Sequence, residues 1–490
     1  MKRYLLTLGL GVLLGAVLLV GVLVARAFGF TSRQVPAEPA APFATDTAAA
    51  AERLAGALRI PTISFSDTLA ADGPEWAQMH AYLERSFPRV HAALRRETVG
   101  RHALLFTWPG TDPSLPPVLL AGHMDVVPVE PGTEAAWTHG PFAGEVADGF
   151  VWGRGAIDDK SGVLGILEAV EGLMAEGFRP RRTVLLAFGA DEEVGGREGA
   201  ARIAALLRAR GVRPEWVVDE GGAVFQGMMP GLEAPVALVG VAEKGFVSVE
   251  LVARGGGGHS SMPPRQTAVG ILARAVSRLE ENPLPSGIRG ATGLLFDYAG
   301  PEMPFGMRLL FANRWLFGPL VERQLAAKPA TDATLRTTTA ATVFQGGTKD
   351  NVLPSQARAV VNFRILPGDS IAGVLEHVRR TVDDPRVEVR AKGFASEPSP
   401  VSSTESAGWK VLQRSIRQTF PDAVVAPYLV VGATDARYYA GLSESVYRFL
   451  PVRLTAADLA RMHGTDERVG VADYATAVRF YAQLLRNGAG

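Results

Sequence analysis

The chain has 490 residues, 47% of them apolar, and its 50 lysines and arginines balance its 50 aspartates and glutamates. That length implies two or three folded units at roughly 100–200 residues each, and the apolar content excludes a disordered chain. The zero net charge excludes a nucleic-acid protein held by a general positive field, and the absence of cysteine excludes disulfides, a thiol nucleophile, iron–sulfur clusters and thiolate zinc sites.

Met1, Lys2 and Arg3 precede an uncharged run over residues 4–25. The run is as long as the ~20 residues a bilayer-crossing helix needs. A cleaved signal peptide is the rival, since Ala25-Arg26-Ala27 is a passable cleavage site, but signal cores span only about 7–15 residues. The expectation is a single-pass anchor over residues 1–30, with Lys2 and Arg3 kept in the cytoplasm and the rest of the chain periplasmic or extracellular, or secreted if the segment is cleaved. Residues 31–50, rich in Ala, Pro and Thr, read as a linker.

Apolar runs bounded by Gly or Pro predict buried strands at residues 117–120, 183–188 and 216–218, with helices over 162–177 and 198–210 between them. This alternation predicts an α/β unit with a mostly parallel sheet. After Gly240 the rhythm changes. A strand at 246–253, a helix at 267–279, a loop-rich stretch at 282–334, strands at 337–344 and 357–365, and a helix near 370–381 predict an α+β domain inserted in the first. Residues 406–419, 424–431, 434–440 and 445–449 resume the alternation, and a last helix covers 472–487. The expected division is one domain built from residues 51–241 and 394–490, interrupted by a second at 242–393.

Side chains with chemistry stand at the strand ends. Leu119-Leu120-Ala121-Gly122-His123-Met124-Asp125 ends a strand in H-x-D, where His123 can bind metal and Asp125 orient it. A strand-end His with a capping Asp is the plain alternative. Gly153-Arg154-Gly155-Ala156-Ile157-Asp158-Asp159 precedes a helix, so its acids are N-caps or a metal-bridging pair. Asp191-Glu192-Glu193 follows another strand; three acids there are costly unless solvated, protonated or neutralised by cations. Asp219 ends the strand of Val217-Val218-Asp219-Glu220-Gly221-Gly222, and His463 sits in His463-Gly464-Thr465-Asp466-Glu467. His259 follows four glycines, but no Walker lysine follows, which argues against a nucleotide loop. His123, Asp158, Glu193, Asp219 and His463 together make a nitrogen and oxygen donor set suited to two Zn²⁺ ions, with Co²⁺ or Mn²⁺ as alternatives.

In this order the motifs GHMD, GRGAIDDK, DEE, DEGG, GGHSSMP and HGTDE resemble those of the M20 family of metallopeptidases, from about residue 50 to the C-terminus. The resemblance implies a two-domain zinc exopeptidase fold, with residues 51–241 and 394–490 as the catalytic domain and 242–393 as a lid and dimerisation domain. It assigns His123 and Asp219 to one zinc, Glu193 and His463 to the other, Asp158 as bridge, Glu192 as general base and acid, and Asp125 to orient His123. It also implies a cis peptide at Asp158–Asp159. His259 would stabilise the oxyanion, often across a lid-mediated homodimer, and Asn351 and Arg364 would bind substrate, Arg364 as the carboxylate clamp. GHMDVVPV, WGRGAIDDK, GADEEVGG, VVDEGG and VAEKGF are similar to the branch that contains Gly-X carboxypeptidase and the N-fatty-acyl-amino-acid synthase/hydrolase. The implied activity is hydrolysis of small peptides or N-acyl amino acids with a free carboxylate. The alternative is a non-catalytic anchored binding protein, which requires a broken ligand position; the sequence contains none. A serine hydrolase lacks its G-x-S-x-G elbow. An apolar stretch near 303–338 would contact lipid, an acyl chain or a dimer partner, or pack within the lid.

Overall fold

The structure, a computed structural model, describes residues 2–65 and 73–490. Met1, which opens the expected anchor, lies outside the described residues.

The strands expected from uninterrupted apolar runs form the centre of a ten-stranded sheet. Val118–His123 and Val184–Gly189 are buried at every position. They pair in parallel, and Val118–His123 also pairs in parallel with Trp216–Asp219. Parallel strands covered on both faces need no polar alternation, which is why their sequences read as solid apolar blocks. The sheet continues through Val446–Arg448 to Val236–Glu243, which takes Val424–Val430 in parallel, and its other edge is Arg95–Val99 paired with Ala103–Trp108. Helices Lys160–Ala175 and Val471–Ala489 pack together on one face, with Thr47–Leu58 beside both. The segment before Thr47 is not free chain: Gln34 exchanges hydrogen bonds with the Val425 backbone, and the Phe43 ring seats against Gly172.

A second sheet has the antiparallel order Thr338–Gly346, Gln356–Ile365, Gly245–Arg254, Val387–Ser396. Helices Ala268–Glu281 and Ile371–Val382 cover one face and complete a separate apolar cluster with Val249, Leu272, Phe363 and Val378. The alternating pattern of Gln356–Ile365 follows from having one covered face.

The stretch at 282–334 is largely helical, which corrects the loop-rich expectation. Helices Gly290–Ala299, Phe305–Ala312 and Arg314–Ala326 occupy it. Pro301, Pro304 and Pro319 interrupt the apolar period there and hide it from a window search; Pro304 caps one helix and Pro319 lies inside another. Phe296, Met303 and Phe311 from this segment pack into the core of the large sheet, and the Phe296 and Phe311 rings stack at 4.6 Å.

The N-terminal helix Lys2–Gly29 is long and apolar enough to cross a membrane, and its outer surface is exposed. Only its last turns touch the body, where Leu23 and Ala27 are buried.

Candidate metal centre and catalytic cavity

The large sheet delivers four of the predicted side chains from its carboxyl edge, where open α/β sheets place their ligands. His123 and Asp219 are the last residues of their strands. Glu192 and Glu193 begin the short turn that follows Val184–Gly189. Asp158 precedes helix Lys160–Ala175, after a loop in which Gly155 adopts φ +89°, and the Asp158–Asp159 peptide is cis. His463 comes from the late loop and is half exposed, on the open side of the site.

These groups meet around the Asp158 carboxylate. Its Oδ1 lies 2.9 Å from His123 Nε2 and its Oδ2 lies 3.1 Å from His463 Nε2. Glu193 Oε2 is 3.4 Å from the same His463 nitrogen. One donor atom each from His123, Asp158 and Glu193 falls within 4.8 Å of the others. The orienting shell is equally specific. His123 Nδ1 donates to the Asp125 carbonyl oxygen at 3.0 Å, which leaves Nε2 as the basic nitrogen facing the site. The Asp125 carboxylate accepts from Ser64 Oγ at 2.8 Å and from the backbone N–H groups of Glu192 and Glu193, each at 3.1 Å. Asp125 thus positions both the histidine and the turn that carries the two glutamates.

The donor set fits a pair of dications. Each oxygen of Asp158 faces a different imidazole. Both oxygens of Asp219 and Oε1 of Glu193 are buried without a hydrogen-bond partner among the described residues. Unpaired buried carboxylate is costly unless a cation or proton offsets it. Protonation behaviour says the same. Burial, reinforced by Asp435, Glu193 and Asp158, pushes the Glu192 carboxyl well above its usual range against the opposing pull of His123. Burial also raises Glu193, and it pushes Asp219 up to about 6. Asp158 moves the other way: burial would raise it, but His123 and His463 outweigh burial and lower it. The hydrogen bonds to Asp158 and Glu193 push His463 up to about 10.

The centre opens into a cavity of about 1830 Å³, whose lining includes Asp158, Glu192, Glu193 and His463. Arg364 also lines it, with its guanidinium 4.9 Å from the Phe246 ring centroid and no ion pair among the described residues. His259 and Asn351 do not join the site within one chain. His259 is exposed on the two-stranded ribbon Gly258–His259 and Val352–Leu353, bonds Ser261, and is absent from the cavity wall; Asn351 is exposed at the start of the facing strand.

Several residues of the site carry no sequence signal of their role. Glu467 is visible in the sequence only as the end of a motif. It accepts from Arg154 Nη1 at 2.6 Å and from the N–H groups of Gly155, Ile157 and Asp158, so it holds the loop that presents Asp158. Asp435 has both oxygens buried and unbonded among the described residues. It fits because Gly189 has no side chain: a Cβ there would lie 2.4 Å from Asp435 Oδ2. Arg197 and Arg437 line the cavity beside Phe394, at 4.8 and 5.8 Å from its ring centroid. No local pattern marks these arginines, which become neighbours of Arg364 only through the fold.

Known proteins place the chain in the same frame. The profile of peptidase family M20/M25/M40 matches residues 119–487. The chain is 44% identical over 483 residues to the probable carboxypeptidase S-like 2 of Dictyostelium discoideum, covering 96% of this chain and 92% of that one. It is 42% identical over 440 residues to the N-fatty-acyl-amino acid synthase/hydrolase PM20D1 of Xenopus tropicalis, covering 89% and 85%. Its fold is similar to that of the M20 family metallo-carboxypeptidase Sso-CP2 from Sulfolobus solfataricus, with a TM-score of 0.64 at 20% identity over 90% of this chain and 99% of that one. The chain belongs to the M20/M25/M40 peptidase family, as a hydrolase of the branch formed by the carboxypeptidase S-like proteins and the N-fatty-acyl-amino acid synthase/hydrolases.

Proposed function

We propose that this chain is a dinuclear metal amidohydrolase that cleaves the amide bond of N-acyl amino acids or small peptides carrying a free carboxylate. The observation that carries this reading is the meeting of the His123, Asp158, Glu193 and His463 donors at one end of a cavity whose remaining wall is largely apolar. That wall, with Met303, Met307, Leu310, Phe311 and Leu325, favours a long aliphatic acyl group.

His123 and Asp219 would hold one dication, Glu193 and His463 the other, and Asp158 would lie between them; zinc suits this donor set, as do cobalt and manganese. The chemistry such a centre supplies is activation of a water and polarisation of the amide carbonyl. Glu192 takes the proton of the attacking water and returns it to the leaving amine, a role that its raised carboxyl supports. Arg364 binds the substrate carboxylate; a guanidinium that lines the cavity over the Phe246 ring, with no ion pair among the described residues, is free for a bidentate contact. His259 and Asn351 act from a second copy of the chain in a lid-mediated homodimer, which accounts for their exposure here. The N-terminal helix serves as a single-pass anchor with the catalytic body outside the cytoplasm, and residues 242–393 form the lid inserted in the catalytic domain.

Metal-reconstituted protein should be screened against dipeptides and N-fatty-acyl amino acids in parallel. Turnover with a free carboxylate, and loss of turnover on capping that carboxylate, supports the reading. Less than one equivalent of bound metal with no turnover of either class supports the anchored binding protein instead.

A further inference from the structure

We infer that helices Phe305–Ala312 and Arg314–Ala326 form a bilayer-seated platform around the end of the N-terminal helix, and that the catalytic cavity receives acyl chains from the lipid through this platform. The inference rests on the amidohydrolase reading above and on an N-terminal helix that remains attached.

Arg314–Ala326 has the sequence RWLFGPLVERQLA, and none of its residues is fully buried by the rest of the chain. Val321 and Leu325 lean on the core, whereas Trp315, Leu316 and Leu320 are 58, 40 and 59% exposed, and Phe305 on the preceding helix is 42% exposed. Large apolar side chains left exposed together on two adjacent helices mark a contact with protein or membrane.

Membrane is the favoured contact, because these side chains adjoin a helix of membrane-crossing length. Asn313, fully buried between the two platform helices, donates from Nδ2 to the Leu23 carbonyl oxygen at 3.0 Å. Arg26 Nε reaches the Ala312 carbonyl, and the Phe28 and Phe305 rings meet at 5.6 Å. Leu23 belongs to the uncharged run, whereas Arg26 is the first charge after it and marks the headgroup level. Three residues of helix separate them, ~4.5 Å at 1.5 Å per residue. The platform junction therefore sits just below the headgroups, near the shallow end of the ~5–10 Å depth typical of interfacial helices. Trp315 lines the same small recess as Arg26, where an indole is at home in the interface.

The platform also reaches the catalytic cavity. Met307, Leu310, Leu320, Val321 and Leu325 of these two helices line the catalytic cavity. Leu320 therefore belongs both to the exposed apolar row and to the wall that leads to Glu192 and Asp158. An N-acyl amino acid dissolved in the outer leaflet can move its chain along this wall without first entering water.

Tryptophan quenching tests the platform on the full chain in phosphatidylcholine vesicles containing acyl-brominated lipid. Trp315 is the exposed reporter, because the other six tryptophans are at most 7% exposed. Bromolipid should quench a component of the emission that Trp315→Phe lacks. Equal quenching of both proteins overturns the platform and leaves association with a second copy as the cover for this face. Leu316→Asp tests the entry route: turnover of a vesicle-dissolved long-chain N-acyl amino acid should fall about tenfold, as a carboxylate opposes insertion, while turnover of the N-acetyl analogue is retained. An equal effect on both substrates, or none, overturns the entry route. If the wild-type chain turns over neither substrate, the amidohydrolase reading and the entry route fall together, and the quenching result still decides the platform.

Discussion

Glu467 grips the backbone that carries Asp158 from a position more than three hundred residues later in the chain. Its Oε1 accepts from the Ile157 and Asp158 N–H groups at 2.8 and 3.2 Å, and its Oε2 takes Arg154 Nη1 at 2.6 Å. Since His463 lies four residues before Glu467, one late loop supplies both His463 and the clamp for Asp158. Glu467→Gln breaks a fully buried ion pair and turns an amide N–H₂ toward backbone donors. The expected result is a ~10–100-fold loss of metal affinity in a chelator-competition titration, with a destabilisation of about 3–5 kcal/mol in denaturant unfolding.

Asp125→Asn should act on both rate and folding. Glu192 N–H binds one carboxylate oxygen while Glu193 N–H and Ser64 Oγ bind the other, so the amide turns its N–H₂ toward a buried backbone donor and also loses the charge that favours His123. We expect about a 10–100-fold drop in kcat/KM on metal-saturated protein, with a destabilisation of about 1–3 kcal/mol in denaturant unfolding.

Metal loading should release protons. Hydrogen bonds to Asp158 and Glu193 push His463 up to about 10, so at about pH 8 the metal-free imidazole is protonated, whereas a ligating imidazole is neutral. At least one proton must leave for each metal pair bound, and affinity should rise with pH, by about tenfold per unit per displaced proton, until His463 is neutral. Calorimetric titrations in buffers of different ionisation enthalpy measure this release directly.

Arg364→Met should raise KM for free-carboxylate substrates by about 10–100-fold, the worth of a charge-assisted hydrogen-bond pair. Substrates whose carboxylate is capped as an amide should be affected much less. Arg364→Lys should recover only a fraction of the loss, because an ammonium does not reproduce the planar fork.

Much of the centre was readable because the physics was local. A buried apolar run that ends in His or in consecutive acids announces a strand end, and His123 and Asp219 do end strands while Glu192 and Glu193 open the turn after one. Asp125 was readable as an orienting acid, but its grip on the glutamate turn was not, because Ser64 and Glu193 are far from it in sequence. The same distance hid the roles of Glu467, Asp435, Arg197 and Arg437. The platform helices were missed for a different reason: Pro301, Pro304 and Pro319 break their period, and exposed apolar residues such as Trp315, Leu316 and Leu320 blur the buried stripe carried by Phe311, Val321 and Leu325. His259 and Asn351 show the converse. Their motifs are clear in the sequence, yet a single chain does not bring them to the cavity.

Movement of the proton by Glu192 in a metal-dependent amide hydrolysis is tested by Glu192→Gln, assayed for metal content and for single-turnover hydrolysis of an N-fatty-acyl amino acid. The metal content should equal that of the wild type, and the rate should fall by ~10²–10⁴-fold, the range for loss of a general base. A variant that keeps its metal and hydrolyses the substrate at close to the wild-type rate would contradict it.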